Sequence, residues 1–160
     1  MAGAPIDNDQ DQISLGRLSR FLGFRLRRVQ NQLSRDFAAQ TRDWSLRAGM
    51  FSSLEIIAAN PGISQAELSG EVGLDKSAVV PLVDDLEARG WVERNKSPRD
   101  RRRNELSITD RGRAELDKLF HELEVTERAG LAMLTDEERA VINRALDKVY
   151  HAYVRGSGQG

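Results

Sequence analysis

At Gly90 the spacing of apolar residues changes period, and few folds accommodate such a change. Up to this glycine the apolar side chains recur in steps of three and four, the helical repeat; the short segments that follow, Trp91-Val-Glu-Arg94 and Glu105-Leu-Ser-Ile108, alternate as strands do. From Thr109 onward the helical repeat returns. A chain patterned this way is expected to be mainly α, with one small β-hairpin placed directly after a pair of short helices.

That helix pair is legible residue by residue. Ser64-Gln-Ala-Glu67 offers a serine cap and, three residues on, a glutamate that can reach back to it. Leu68 and Val72 face inward, Ser69 is small enough for a close crossing, Gly73 permits the turn, and Leu74, Val79, Leu82 and Val83 complete the core. Asp75 stands where it can cap the second helix, which is expected to reach about Arg89. Upstream, Leu15, Leu18, Leu22, Leu26, Val29, Leu33 and Phe37 mark a long first helix, with Phe21, Phe24 and Arg28 gathered on a second face. A helix over 46–59 follows, with Leu46, Met50, Leu54 and Ile57 inward and a break at Asn60-Pro-Gly62. Downstream, Thr109 opens a helix with Leu116, Leu119, Phe120 and Leu123 on one side. Thr135-Asp-Glu-Glu138 is a capping box for the last helix, whose broad apolar face runs through Val141, Ile142, Ala145, Leu146, Val149, Tyr150 and Tyr153.

The net charge of −1 conceals a strongly uneven layout. Residues 94–103 hold six basic side chains against one acid, and residues 17–35 hold six arginines and no acid. A helix pair followed by a basic hairpin is the arrangement of a winged helix-turn-helix. The outer side of its second helix, Lys76, Ser77, Val80 and Pro81, is expected to lie in a DNA major groove. The hairpin loop, with Lys96, Arg99, Arg101, Arg102 and Arg103, is expected to reach phosphates or enter the minor groove. Taken singly, each feature has a plainer reading, an ordinary pair of short helices and a solvated charged loop. A winged helix used for protein contact without DNA is the alternative, and it predicts little salt dependence with duplex DNA.

In these segments the chain resembles the MarR family of winged-helix regulators, from about Leu15 to Tyr153. The resemblance is carried by Pro61-Gly-Ile-Ser-Gln-Ala-Glu-Leu68, Leu82-Val-Asp-Asp-Leu-Glu-Ala-Arg-Gly-Trp-Val92, Ser97-Pro-Arg-Asp-Arg-Arg-Arg103 and Leu106-Ser-Ile-Thr-Asp-Arg-Gly112. It implies that Arg102 enters the minor groove while Asp100 helps position it, and Ser64 and Gln65 join the expected DNA-facing set. It also implies a homodimer in which the first and last helices of both chains intertwine, bound to a pseudo-palindromic site as a transcriptional regulator, a repressor in the expected case. The implied division is a disordered tail at 1–12, a dimerisation helix at 13–44, the DNA-binding lobe at 45–108, dimerisation helices at 109–154 and a second disordered tail at 155–160. Pro81 departs from the family pattern, because proline cannot donate to a base, so direct readout is expected to be thin.

Many regulators of the kind this chain resembles release DNA when a small aromatic or lipophilic acid binds, and the resemblance implies the same role here for such an acid or an acyl-CoA thioester. By spacing, Trp44, Arg47 and Phe51 share one helix edge and Phe21, Phe24 and Arg28 another; aromatic walls with guanidinium groups suit such a ligand. Core packing with phosphate-contacting arginines is the plainer account of the same residues.

Other chemistries find little support. The chain has no cysteine, which removes disulfides and thiolate metal sites, and only two histidines, neither in a catalytic spacing, so no enzyme, metal or cofactor is expected. No apolar run approaches the roughly 18 residues that span a bilayer, and the opening MAGAPIDNDQDQ lacks the order of a secretion signal, so a cytoplasmic chain without membrane contact is expected.

Overall fold

The computed structural model describes residues 13–97 and 104–155. The expected tail at 1–12, residues 156–160 of the one expected at 155–160, and the loop residues Arg99, Asp100, Arg101, Arg102 and Arg103 lie outside the described residues. The chain divides into two compact units, 1–126 and 127–160.

Among its described residues the first unit is built of helices and one hairpin, with short connections between them. A 3-10 turn at Gly16–Arg20 precedes α1 (Leu22–Gln40), and Phe21 between them is extended, at φ −96° and ψ 121°. The expected long helix is therefore interrupted at its start: Ser19 is buried, its hydroxyl donates to the Gly16 carbonyl at 2.8 Å, and its own carbonyl accepts from Arg25 Nε at 3.0 Å. A second 3-10 turn, Arg42–Trp44, leads to α2 (Met50–Ala59), which starts later than the expected 46 because Gly49 at φ 86° is left-handed. Leu46 still packs on the core, from the turn.

α3 (Gln65–Val72) and α4 (Lys76–Ala88) form the helix pair, joined through Gly73 at φ 71°. The Ser64–Glu67 capping box is formed, and the Ser69 hydroxyl donates to the Leu74 carbonyl at 2.6 Å, closing the turn from inside. Asp75 occupies the cap position of α4 without a side-chain cap bond. β1 (Val92–Lys96) and β2 (Asn104–Ile108) pair antiparallel, with Val92 opposite Ile108 and Arg94 opposite Leu106. On its other edge β2 meets Ile63: Gly62 N donates to Leu106 O, and Leu106 N to Ile63 O, both at 2.9 Å. The hairpin is thus stitched to the segment that leads into α3.

α5 (Asp110–Gly130) carries the chain through the end of the first unit at Thr126. Thr109 Oγ1 donates to Gly90 O at 2.6 Å and accepts from Gly112 N at 2.9 Å, fixing the helix start against the turn that ends α4. The core collects Met50, Leu54 and Ile57 from α2, Leu68 from α3, Val79, Leu82, Val83 and Leu86 from α4, then Trp91, Val92, Leu106, Leu116 and Leu119. With the larger of these side chains contributing about 1.5–3 kcal/mol each on burial, this cluster is what fixes α3 and α4 in place. The winged helix-turn-helix expected from the sequence is the fold observed.

The second unit holds α6 (Asp136–Val149), begun by the Thr135–Glu138 capping box and prolonged by a π-helical turn at Tyr150–Arg155. None of the residues of α6 is buried. Val141, Ile142, Leu146, Val149, Tyr150, Tyr153 and Val154 are all exposed, and so, on α1 or just before it, are Leu18, Phe21, Leu22, Leu26 and Val29.

Candidate nucleic-acid interface

α4 has one committed face and one open face. Val79, Leu82, Val83 and Leu86 are buried, whereas Lys76, Ser77, Val80 and Pro81, one helical turn apart in pairs, are all exposed. Proline at the sixth position of the helix leaves the Ser77 carbonyl without its usual donor, yet the helix continues to Ala88. Ser64 and Gln65 stand at the start of α3. The Ser64 hydroxyl is engaged by the cap, donating to Glu67 Oε2 at 2.6 Å and accepting from Glu67 N at 3.3 Å; Gln65 is half-buried, and its Nε2 has no hydrogen-bond partner.

At the hairpin, Lys96 is exposed and pairs in register with Asn104. Arg94, counted with the basic run in the sequence, has a different task. Its Nη2 donates to Asp84 at 2.5 Å and its Nη1 to Glu87, and its side chain is only 18% exposed. This fork ties β1 to the outer flank of α4, and two carboxylates hold it in charge-assisted bonds. The link depends on a strand crossing a helix, which the spacing of residues does not disclose.

The residues expected to hold a small ligand are dispersed. Trp44 and Arg47 lie in the connection before α2, not along a helix edge with Phe51, because α2 begins only at Met50. Trp44 is turned to α5, donating from Nε1 to Glu115 Oε2 at 2.8 Å; this bond and that from Lys118 at 2.7 Å hold the Glu115 carboxyl below the usual carboxylate range, the lysine contributing most. Phe51 packs between Phe37 and Phe120, at 5.3 and 5.0 Å between ring centroids. Phe21 precedes α1, and Phe24 has Arg27 over its ring at 5.7 Å. A cavity of about 690 Å³ nevertheless exists between α1 and the α2 connection. Arg47 and Phe51 line it, with Phe37, Thr41, Arg42 and Ser45; Trp44, Phe21, Phe24 and Arg28 do not. Sequence reasoning missed Arg42 and the hydroxyl groups, which only the 3-10 turn brings to this wall.

Comparison with known proteins bears on the whole chain. The model of the MarR family matches residues 46–103. A putative transcriptional regulatory protein for the hcr operon of Thauera aromatica is 34% identical over 149 residues, covering 92% of this chain and 90% of the relative. Among solved structures, the transcriptional repressor CouR bound to a 23-mer DNA duplex superposes with a TM-score of 0.79 at 31% identity, over 87% of this chain and 99% of that one. CouR from Rhodococcus jostii RHA1 bound to p-coumaroyl-CoA gives 0.72 at 29% identity, over 86% and 94%. Among the described residues no group of three or more metal-ligating side chains occurs, and no helix is long and apolar enough to cross a membrane.

Proposed function

The chain belongs to the MarR family of transcriptional regulators, and from that premise we propose that it is a homodimeric repressor that grips a pseudo-palindromic operator and is displaced by a small aromatic acid or its CoA thioester. The observation that carries the proposal is the division of α4: its core face is buried, and Lys76, Ser77, Val80 and Pro81 stay open beside a hairpin whose tip is arginine-rich. Lys96 and the tip residues Arg99, Arg101, Arg102 and Arg103 act on phosphates and the minor groove, Arg102 entering it with Asp100 as its positioner. Gln65 stands half-buried at the start of α3 with its unpartnered amide nitrogen shielded from solvent, and Ser64 contributes through its cap. Pro81 adds shape and no donor, so affinity rests on arginine contacts and on DNA deformability.

The exposed apolar stripe of α1 and that of α6, each taken by itself, support a dimer, since apolar surface left open in this way marks an interface. Two copies of the lobe then meet half-sites about one helical turn apart. For the effector, the support is the 690 Å³ cavity with Phe37 and Phe51 as aromatic walls and Arg42 and Arg47 as anion partners. The repressor in the neighbouring structure holds p-coumaroyl-CoA, a ligand of this chemistry.

Fluorescence anisotropy with the DNA upstream of the protein's own coding sequence tests this reading. Affinity should fall steeply and log-linearly as salt rises, p-coumaroyl-CoA should weaken binding, and Arg102→Ala should cost about tenfold with the dimer intact. Binding that ignores salt, or an Arg102→Ala variant equal to wild type, would leave only a protein-contact role for the lobe.

A further inference from the structure

Arg89 closes α4 and is fully engaged on its inner side. Its Nε donates to Asp85 Oδ1 at 2.9 Å, its Nη1 to the Trp44 carbonyl at 2.6 Å and its Nη2 to the Ser45 carbonyl at 3.3 Å, while the guanidinium lies 5.1 Å over the Trp91 ring. The two carbonyls belong to a turn 45 and 44 residues away in sequence. That turn ends on Ser45 at φ 48° and ψ 48°, the one left-handed non-glycine residue among those described. A serine held there needs an outside restraint, and Arg89 supplies it. The same turn is a wall of the cavity, which Arg42, Ser45 and Arg47 line. The other Asp85 oxygen faces Arg47 Nε at 3.5 Å, so one carboxylate on α4 is shared between the cavity arginine and the arginine that clips the turn.

We infer that Arg89, with Asp85, is a positioning residue that couples the cavity wall to the carboxyl end of the recognition helix. The inference rests on the DNA-binding role proposed above and adds the regulation of that site. A helix of 13 residues rises about 1.5 Å per residue, so Arg89 stands a full helix length from Lys76 and does not touch what Lys76 touches. It acts on DNA through the angle and register of α4. An anion entering the cavity meets Arg47, whose side chain is 65% exposed, and draws it from Asp85. The carboxylate then answers to Arg89 alone, and the turn and the helix end readjust together. Coupling of this kind requires both sites to bias one element with two arrangements, and the Asp85–Arg89 clip is that element.

The test uses the full-length protein and the same upstream DNA, with affinity measured from 50 to 200 mM salt, the range over which phosphate contacts weaken by roughly 10³–10⁵. Arg89→Ala should weaken binding about tenfold through lost charge-assisted hydrogen bonds, with an unchanged slope of log affinity against log salt. Arg89→Lys should behave similarly, because a compact ammonium cannot span Asp85 and two carbonyls; it also serves where Arg89→Ala folds poorly. Arg47→Ala should change affinity in the wild-type background by at least about threefold more than in the Arg89→Lys background, the mark of energetic coupling. With Trp91→Phe leaving Trp44 as the only indole, Arg89→Lys should shift Trp44 emission. Wild-type affinity in both Arg89 variants, additivity with Arg47→Ala, or a salt slope reduced by about one, the sign of a lost phosphate contact, would each overturn the assignment. Failure of the wild-type protein to bind the DNA at low salt would instead remove the function proposed above.

Discussion

Gly112 sits where the first turn of α5 crosses the backbone of Trp91. A Cβ there would run into the Trp91 carbonyl oxygen, with the carbonyl carbon at 2.8 Å and Ile108 Cγ1 at 2.9 Å, and none of these atoms is the loose end of a flexible side chain. Gly112→Ala should therefore destabilise by about 1–3 kcal/mol, the range for overpacking, seen as a lower urea midpoint; an unchanged midpoint would mean that α5 slides freely on the hairpin. Glu115, one turn on, bonds both Trp44 and Lys118, and its folded carboxyl is held below the ordinary carboxylate range, chiefly by the lysine. Between the folded and unfolded values the unfolded chain binds more protons, so this stabilisation is present above the unfolded carboxylate value and is lost as pH falls through the folded one. The stability gap between wild type and Glu115→Gln, read from urea unfolding, should be open at pH 7 and close as pH falls below the carboxylate range near about 4. A gap that persists unchanged in acid would remove the electrostatic account. Of these contacts only the glycine's proximity to the turn is hinted at in the sequence, since Trp44 and Glu115 are 71 residues apart.

α4 is the element to which the proposed DNA contact is assigned, and it carries its own defect. Pro81 is exposed, so its cost lies in the missing hydrogen bond to Ser77 and the crowding of that carbonyl, with no packing gained in return. Pro81→Ala should raise stability by about 1–3 kcal/mol after allowing for the freer unfolded chain, measurable as a higher melting temperature; a lower one would show that the proline supports a bend the fold requires. What keeps α4 in place despite Pro81 is its surroundings. Its inner face is buried, Arg94 joins its flank to β1 through Asp84 and Glu87, and Arg89 fixes its end. Boundaries of α3 and α4 agreed with the sequence to within a residue because Ser64, Gly73 and Gly90 act locally. Those of α1 and α2 did not: Phe21 breaks the first and Gly49 delays the second, and neither carries an unmistakable local stop signal.

At the scale of the whole molecule, most of the exposed large apolar side chains lie on or just before α1 and on or just after α6, while the core of the first unit is closed. Leu146 is 40% exposed in the single chain. A second copy burying it would gain part of the about 1.5–3 kcal/mol of a covered leucine, twice by symmetry. Leu146→Asp should therefore give a particle of roughly half the wild-type mass by light scattering and a lower, concentration-independent melting temperature. An unaltered mass would overturn the proposed dimer contact at this residue. The net charge of −1 has little bearing on DNA binding, because the basic residues of 94–103 are segregated from the acids of 122–138.

The sequence by itself determined whatever depends on residues within about one turn of each other: the helical and strand periods, the two capping boxes, the glycine stops, the basic loop and the open face of α4. Tertiary structure alone decided what arises when distant segments cross. It placed Ile63 beside β2, made Arg94, one cation of the basic run, a strut against Asp84 and Glu87, and moved Trp44 onto Glu115. It also formed the cavity from the turn that Arg89 holds. A side chain's partner is set by the crossing of elements, and linear spacing records only which side of its own element it leaves from.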